Sequence, residues 1–240
     1  MARFVRKYYN DYVKDIDYEK KRWFKDKASE EKYSETEKTI NFHLNNRFKD
    51  VLEIGCGPGT WSRILLKHTK NLVLLDISEE MLKQAKKRLK KEKLKITYVC
   101  SDFENFRTKK KFDLIFSSRA IEYMPNKEIV IKKINGFLKD GGKTIIITKN
   151  PMRRWKHLIF KKEVEKIHRN WISIKEFKSL LENSKFKKIK IYPAVFSVMP
   201  FPNFILTRKL NMFLHLLFYK IKIFSLITLF LESYVVIAYK

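Results

Sequence analysis

The chain has 240 residues, of which 45% are hydrophobic, and it carries a formal net charge of +27 at pH 7. This length and apolar fraction suffice for one large domain, or for one domain with insertions, and the two cysteines exclude a disulfide framework. The chain has no uninterrupted apolar run of the roughly 18 residues that a membrane-spanning helix needs. Its N-terminus also lacks the apolar run of a signal peptide, so we expect a cytoplasmic location.

Residues 1–48 are predicted to form polar helices with interleaved aromatic side chains. From about residue 50 onward, short apolar runs alternate with amphipathic stretches, which is typical of βα units that build a parallel sheet. The predicted strands are 51–54, 72–75, 96–99, 114–116, 144–147, 187–192 and 233–239. The predicted helices are 60–69, 78–91, 127–139 and 173–183. A turn at Asp140, Gly141 and Gly142 is expected to end the third helix and start a strand, and Ser173 is expected to cap the fourth helix.

These elements divide the chain into a helical lid at 1–48, a core at 49–193 plus 232–240, and an apolar insertion at 194–231. Three interpretations of the insertion stay open: a cap over an apolar substrate, a dimer interface, or a helix in the surface of an anionic membrane. Phe, Leu and Ile mixed with Lys suit the membrane interpretation. If 206–231 forms one helix, one face holds the polar residues Arg208, Asn211, His215, Lys222 and Ser225.

Lysine supplies most of the positive charge. Nucleic-acid readers usually rely on arginine, whose planar group matches phosphates and bases. A lysine excess is consistent with attraction to phosphate or anionic lipid, and equally with a lysine bias of the whole genome. Nucleic acid therefore stays open as a partner, as does a peripheral position at the inner face of the membrane.

The most informative stretch runs from Val51 to Thr60, where an apolar run meets a glycine-rich turn and then a predicted helix. Glycines in such a turn allow tight bending and the close approach of a ligand, and the free N–H groups of the helix suit a carboxylate or phosphate. Asp76 ends the second predicted strand, where a carboxylate can accept hydrogen bonds from both hydroxyls of a ribose. Together these features indicate a cofactor that contains adenosine.

The glycine spacing is G-x-G-x-G, and further landmarks follow in order at Asp76, Ser101-Asp102-Phe103, 112–118 and 138–142. This pattern resembles the class I S-adenosylmethionine-dependent methyltransferases over about residues 48–192 plus the last strand. The resemblance implies an α/β, Rossmann-like, doubly wound fold with a mostly parallel seven-stranded sheet, and S-adenosylmethionine as the cofactor. It also implies a cofactor site made of Tyr9, Glu53, Gly55, Cys56, Gly57, Gly59, Asp76, Ile77, Asp102, Phe103 and Ser118.

Methyl transfer from a sulfonium depends mainly on alignment, and a general base is needed only when the acceptor must lose a proton. The Asn/Asp-Pro-Pro-aromatic signature of family members that methylate amides or adenine is absent. The resemblance therefore implies a small-molecule acceptor, such as a quinone precursor, a lipid or a sugar. Glu122 and Tyr123 are expected near the acceptor, or else they pack the following helix. His168 is a candidate base, with a surface or packing role as the alternative.

Two other function classes stay open: an RNA-binding protein that uses the lysine surface, and a non-catalytic protein that only binds the cofactor. A nicotinamide-dependent oxidoreductase is disfavoured, because dinucleotide enzymes usually show G-x-G-x-x-G. No His, Asp or Glu cluster has the spacing of metal ligands, so no metal site is expected. The sequence leaves the oligomeric state open.

Overall fold

The computed structural model describes residues 2–151, 170–197, 205–221 and 225–240. Its strands are β1 Phe48–Ile54, β2 Thr69–Asp76, β3 Lys95–Cys100, β4 Phe112–Ser118, β5 Leu138–Lys149, β6 Lys187–Phe196 and β7 Leu231–Tyr239. They form one sheet in the order β3-β2-β1-β4-β5-β7-β6. Strands β1 to β5 pair in parallel, and β7 runs antiparallel to both β5 and β6. The predicted mostly parallel, seven-stranded sheet is confirmed.

The α-helices are α1 Ala2–Val13, α2 Tyr18–Trp23, α3 Lys27–His43, α4 Ser62–Leu66, α5 Glu79–Arg88, α6 Lys127–Phe137, α7 Ile174–Asn183 and α8 Ile205–Phe218. Five of them begin after a side chain that accepts a hydrogen bond from a backbone N–H of the first turn. These capping residues are Asp17, Asp26, Ser78, Asn126 and Ser173. The cap expected at Ser173 is therefore present.

The hydrophobic core lies on both faces of the sheet. On one face, side chains such as Ile54 and Ile115 pack against α6 and α7. On the other face, Leu74 and Phe116 pack against α3, α4 and α5. Their alternation along each strand follows from the two-residue period of β structure. This arrangement holds the carboxyl ends of β1, β2, β4 and β5 at one edge of a rigid sheet.

Two predicted boundaries were wrong. The helix expected at 60–69 is a short one, α4, because Thr69 already begins β2 opposite Phe48. The turn at 140–142 does not separate helix from strand, because β5 begins at Leu138, which pairs with Phe112. The glycine turn instead interrupts the strand, with Gly141 at a φ of 76° and a register shift beyond Phe112.

The apolar insertion is not one continuous helix. Helix α8 ends at Phe218, and a 3-10 helix follows at Ser225–Phe230. The polar face of α8 points inward, since Thr207, Asn211 and His215 are buried. Its apolar side chains are exposed, among them Ile205, Leu206, Phe213, Leu216 and Leu217. Lys222 falls outside the described residues. No helix in the described part of the chain is long and apolar enough to cross a membrane.

The inverted polarity of α8 has a local cause on α3. Arg208 donates two hydrogen bonds to the carboxylate of Glu31, at 2.9 and 2.6 Å. Such a bidentate pair fixes orientation as well as distance. Tyr219 stacks on His215 with a ring-centroid separation of 5.0 Å and also contacts Phe42 of α3. These contacts turn the polar residues of α8 toward α3.

Candidate functional site

A cavity of about 800 Å³ opens at the carboxyl ends of the parallel strands. In such sheets a ligand binds where the strand order reverses, which here is between β1 and β4. The residues that follow or end the strands line the cavity: Gly55, Asp76, Ser118 and Lys149 from the parallel strands and Glu232 from the start of β7. The lid helices α1 and α2 line its opposite side.

The glycine turn after β1 leaves no room for a side chain at its first position. Gly55 has a φ of 69°, and a Cβ there would lie 2.1 Å from the Cβ of Ala120. The turn is tied to β2 because Asp76 accepts hydrogen bonds from the backbone N–H groups of Gly57 (2.8 Å) and Ser78 (2.9 Å). Burial raises the pKa of Asp76, while these hydrogen bonds oppose the shift.

Two of the predicted cofactor residues, Glu53 and Gly59, are not among the described residues that line the cavity. Glu53 is buried beneath the glycine turn, where it accepts a hydrogen bond of 2.5 Å from the hydroxyl of Ser62. Burial raises the pKa of Glu53 to about 8; the Ser62 hydrogen bond opposes this shift and the charge of Asp76 adds to it. Glu53 therefore ties the end of β1 to the start of α4.

The remaining cofactor candidates surround one half of the cavity. Cys56, Gly57, Ile77, Asp102 and Phe103 all line it. The carboxylate of Asp102 accepts hydrogen bonds from the backbone of Glu104 and the side chain of Asn105, both at 3.1 Å. It is thereby held in place at the end of β3, and the buried ring of Phe103 adds an apolar surface beside it.

Helix α1 lines the cavity beside these cofactor candidates. The Tyr9 hydroxyl donates a 2.7 Å hydrogen bond to that of Tyr123, 114 positions away, and both residues line the cavity. Burial raises the pKa of each phenol well above its usual range, so both stay protonated. Two further lid contacts were missed by the sequence analysis: Arg6 donates to the backbone oxygen of Ile77, and Asn10 accepts from Ser78.

The other half of the cavity is lined by charged and aromatic residues near the ends of β4, β5 and β7. Glu122 is buried and accepts a 2.8 Å hydrogen bond from the backbone N–H of Lys149. Its carboxylate also lies 3.8 Å from Arg119. Trp171 completes this wall. The residues that sequence reasoning missed here are Arg22, Lys149, Trp171 and Glu232.

Three residues were expected from the sequence to act on the acceptor: His168, Glu122 and Tyr123. His168, the candidate base, lies outside the described residues. Glu122 and Tyr123 both line the cavity, and their hydrogen bonds join them to Lys149 of β5 and to Tyr9 of α1; the alternative role, in the following helix, stays a prediction. Among the described residues, no group of three or more His, Cys, Asp or Glu side chains is arranged to hold a metal ion.

Comparison with known proteins agrees with this geometry. The family model described as a methyltransferase domain matches residues 51–142. An S-adenosylmethionine-dependent methyltransferase from Thermotoga maritima superimposes over 100% of both chains with a TM-score of 0.68 and 19% identity. The chain therefore contains a methyltransferase domain, with the fold of this solved enzyme. The N-methyltransferase NodS from Bradyrhizobium japonicum, solved with S-adenosylhomocysteine, shares the methyltransferase fold with a TM-score of 0.61 and 14% identity, covering 90% of this chain and 89% of its own.

Curated relatives of the chain are named as different O-methyltransferases. A malonyl-[acyl-carrier protein] O-methyltransferase from Ilyobacter polytropus is 30% identical over 143 residues, which are 58% of this chain and 54% of the relative. A ubiquinone biosynthesis O-methyltransferase from Coxiella burnetii is 32% identical over 114 residues, 47% of this chain and 49% of the relative. The chain thus spans about half the length of the curated relatives it matches.

The cavity of the methyltransferase domain fits the cofactor of its family, S-adenosylmethionine. Two hydroxyl oxygens that line it, those of Thr60 and Ser118, are buried without a hydrogen-bond partner among the described residues. Buried polar atoms of this kind need a partner, and the amino acid end of the cofactor is polar and charged. Its ribose and adenine would lie toward Asp76 and Asp102.

Proposed function

We propose that the protein transfers a methyl group from S-adenosylmethionine to a small-molecule acceptor. The observation that carries this proposal is the cavity at the β1/β4 reversal, in which the Gly55 turn and Asp76 face a second compartment next to them. One compartment suits the cofactor, and the other, at the ends of β4, β5 and β7, is left for the acceptor. Two ligands bound side by side are what a transfer reaction requires.

When bound, S-adenosylmethionine supplies an activated methyl group on a positively charged sulfur. The residues of the chain bind the cofactor and the acceptor and orient them. Asp76 and Asp102 fix the nucleoside, the Gly55 turn admits the methionine moiety, and the Tyr9–Tyr123 hydrogen bond holds the lid against the cofactor compartment. Because the transfer needs alignment more than proton chemistry, no catalytic dyad has to be built into the site.

Binding experiments test this proposal directly. Calorimetric titration of the full chain with S-adenosylmethionine and S-adenosylhomocysteine should show micromolar binding, and NADH should not bind. Asp76→Ala should lose the sulfur compounds, because the mutant lacks the carboxylate proposed for the ribose. Binding of NADH, or binding of the sulfur compounds unchanged in Asp76→Ala, would contradict the proposal. Failure of all three ligands to bind the wild-type chain would also contradict it.

We further propose that helix α8 docks on an anionic membrane surface, which would bring the site to lipid-linked or apolar acceptors. Its exposed face carries Leu206, Phe213 and Leu217, with Lys209 on the same side. Apolar side chains flanked by lysines suit the interface of an anionic bilayer, and the net charge of +27 favours the same partner. Both cysteines are free thiols, which supports the cytoplasmic face as the location.

Vesicle flotation tests the membrane proposal. The wild-type chain should float with vesicles that contain phosphatidylglycerol and less with pure phosphatidylcholine. The double variant Phe213→Ser, Leu217→Ser should remain at the bottom, whereas Ile129→Ser, an exposed apolar residue on α6, should float like the wild type. Absence of flotation by the wild type, or a dimer dissociated by the double variant in ultracentrifugation, would contradict the membrane docking. The second result would identify the face as a subunit interface.

A further inference from the structure

Lys149 occupies an unusual position in the acceptor compartment. It is the last residue of β5, at the edge of the sheet where the cavity opens, and its side chain lines that cavity. The ammonium nitrogen lies 5.2 Å from the centre of the Trp171 ring, which is within the range of a cation–π contact. The lysine ammonium thus lies against the Trp171 ring in the wall of the cavity.

The carboxylates around Lys149 contact other groups, although one oxygen of Glu122 has no hydrogen-bond partner among the described residues. Glu122 accepts the backbone N–H of Lys149 and faces Arg119 at 3.8 Å. Glu232 pairs with Lys32 at 2.8 Å and faces Arg119 at 4.0 Å. No carboxylate of the described residues lies within ion-pair distance of the Lys149 ammonium. A partly buried cation of this kind is costly to the folded protein and gains most from an anion that arrives with a ligand.

The charges that act on Lys149 confirm this imbalance. Burial lowers the pKa of Lys149 to about 8; Glu122 opposes the shift, Arg119 and Arg22 add to it, and Glu232 opposes it. Two cations therefore share the compartment with Lys149, and the two carboxylates do not compensate for the burial of its charge. An anionic ligand would supply the counter-charge that Lys149 lacks among the described residues.

We propose that Lys149 anchors an anionic oxygen group of the methyl acceptor, so that the acceptor is a small acid rather than a neutral molecule. This inference rests on the proposed methyl transfer and specifies its acceptor class. A lysine ammonium acts as a compact point charge and does not select between carboxylate and phosphate by shape. Trp171 offers the flat surface on which an aromatic or planar part of the acceptor would lie.

The test uses three probes that differ in one group: 4-hydroxybenzoate, 4-hydroxyphenyl phosphate and neutral 4-hydroxybenzamide. Each is titrated into the full chain saturated with S-adenosylhomocysteine, and binding is followed by NMR. In the wild type we expect at least one anion to bind tenfold or more tightly than the amide. The tighter of the two anions identifies the group. Lys149→Met should reduce the preference to about threefold or less, Lys149→Arg should retain most of it, and Lys132→Met, which removes an exposed charge on α6, should leave it unchanged.

A pH profile of affinity distinguishes a lysine that binds the anion from a lysine that only packs against its neighbours. Affinity for the anion should fall above about pH 8 in the wild type and stay flat in Lys149→Met, because only the protonated lysine attracts it. Equal binding of all three probes by the wild type, no binding of either anion, or an undiminished preference in Lys149→Met would each overturn the inference. Calorimetry with S-adenosylhomocysteine alone distinguishes failure of this inference from failure of the proposed function. If the probes overturn the inference while the wild type and Lys149→Met bind S-adenosylhomocysteine equally, the cofactor site stands and only the role of Lys149 as an anchor is refuted.

Discussion

Replacing Lys149 with methionine should stabilise the protein at neutral pH. Lys149 titrates at about 8 in the folded chain instead of at its ordinary 10.5. A tenfold change in a protonation equilibrium corresponds to about 1.4 kcal/mol, so burial of this cation costs the folded state about 3 kcal/mol. Methionine keeps an unbranched apolar side chain against Trp171 and removes the charge, so the variant should recover most of that free energy of unfolding.

The sign of the effect depends on pH. Below about pH 8 the lysine is protonated in both the folded and the unfolded chain, and the full cost is present. Between pH 8 and 10.5 the unfolded chain binds more protons than the folded one, so the stability of the wild type rises with pH. The advantage of Lys149→Met should therefore be largest at pH 7 and nearly vanish at pH 10.5.

Urea unfolding of both proteins at pH 7 and pH 10 measures this difference. Other lysines titrate equally in the two proteins, so their contributions cancel when the variants are compared. Lys132→Met provides the matched control, because Lys132 is exposed on α6 and its loss should change stability little at either pH. A Lys149→Met variant that is no more stable than the wild type at pH 7 would refute the view that Lys149 is an uncompensated cation.

Three other changes have defined outcomes. Gly55→Ala should lower the free energy of unfolding by at least about 2 kcal/mol, since its Cβ meets Ala120 and its φ is left-handed. Gly136→Ala, in a helix with open space around it, should instead stabilise the protein by about 0.5–1 kcal/mol. Chemical unfolding measures the free energy of unfolding of both variants. Tyr9→Phe should weaken S-adenosylhomocysteine binding several-fold in calorimetry by releasing Tyr123, and unchanged affinity would refute a role for that contact in the lid. Burial lowers the pKa of His215 to about 4, so up to about 3 kcal/mol of stability should be lost as pH falls from 6.5 to 4, and His215→Asn should reduce that loss in acid unfolding.

The half of the cavity around the Gly55 turn could be predicted from the sequence because its signals are local. The Gly55 turn follows directly on β1, and Asp76 ends the next strand, so both positions are set by one βα unit and its neighbour. The contact between Asp76 and Gly57 then follows from the parallel pairing of β1 and β2. Sequence periodicity is sufficient for such elements, since each strand shows its own apolar run.

The acceptor compartment could not be predicted in this way. Lys149 and Glu232 come together only because β7 inserts antiparallel beside β5, which pairs Lys149 with Ser233. Nothing in the neighbourhood of either residue indicates that pairing. The orientation of α8 was hidden for a similar reason: its polar residues form one face by periodicity, but only the bidentate Arg208–Glu31 pair turns that face inward.

The contrast between the two halves of the cavity indicates where in the chain the residues that select the acceptor lie. Residues 51–142, which match the methyltransferase domain, include nearly all of the residues proposed for the cofactor, and the curated relatives are named as different O-methyltransferases. Lys149, Trp171 and Glu232 lie beyond that segment, and Arg22 lies before it. If the acceptor is selected by charge, the selecting residues should therefore be found in the parts of the chain that the family model does not match. The Lys149 variants test this separation, because they should change preference among acids and amides without changing affinity for S-adenosylhomocysteine. A loss of both affinities together would mean that the two compartments are not independent.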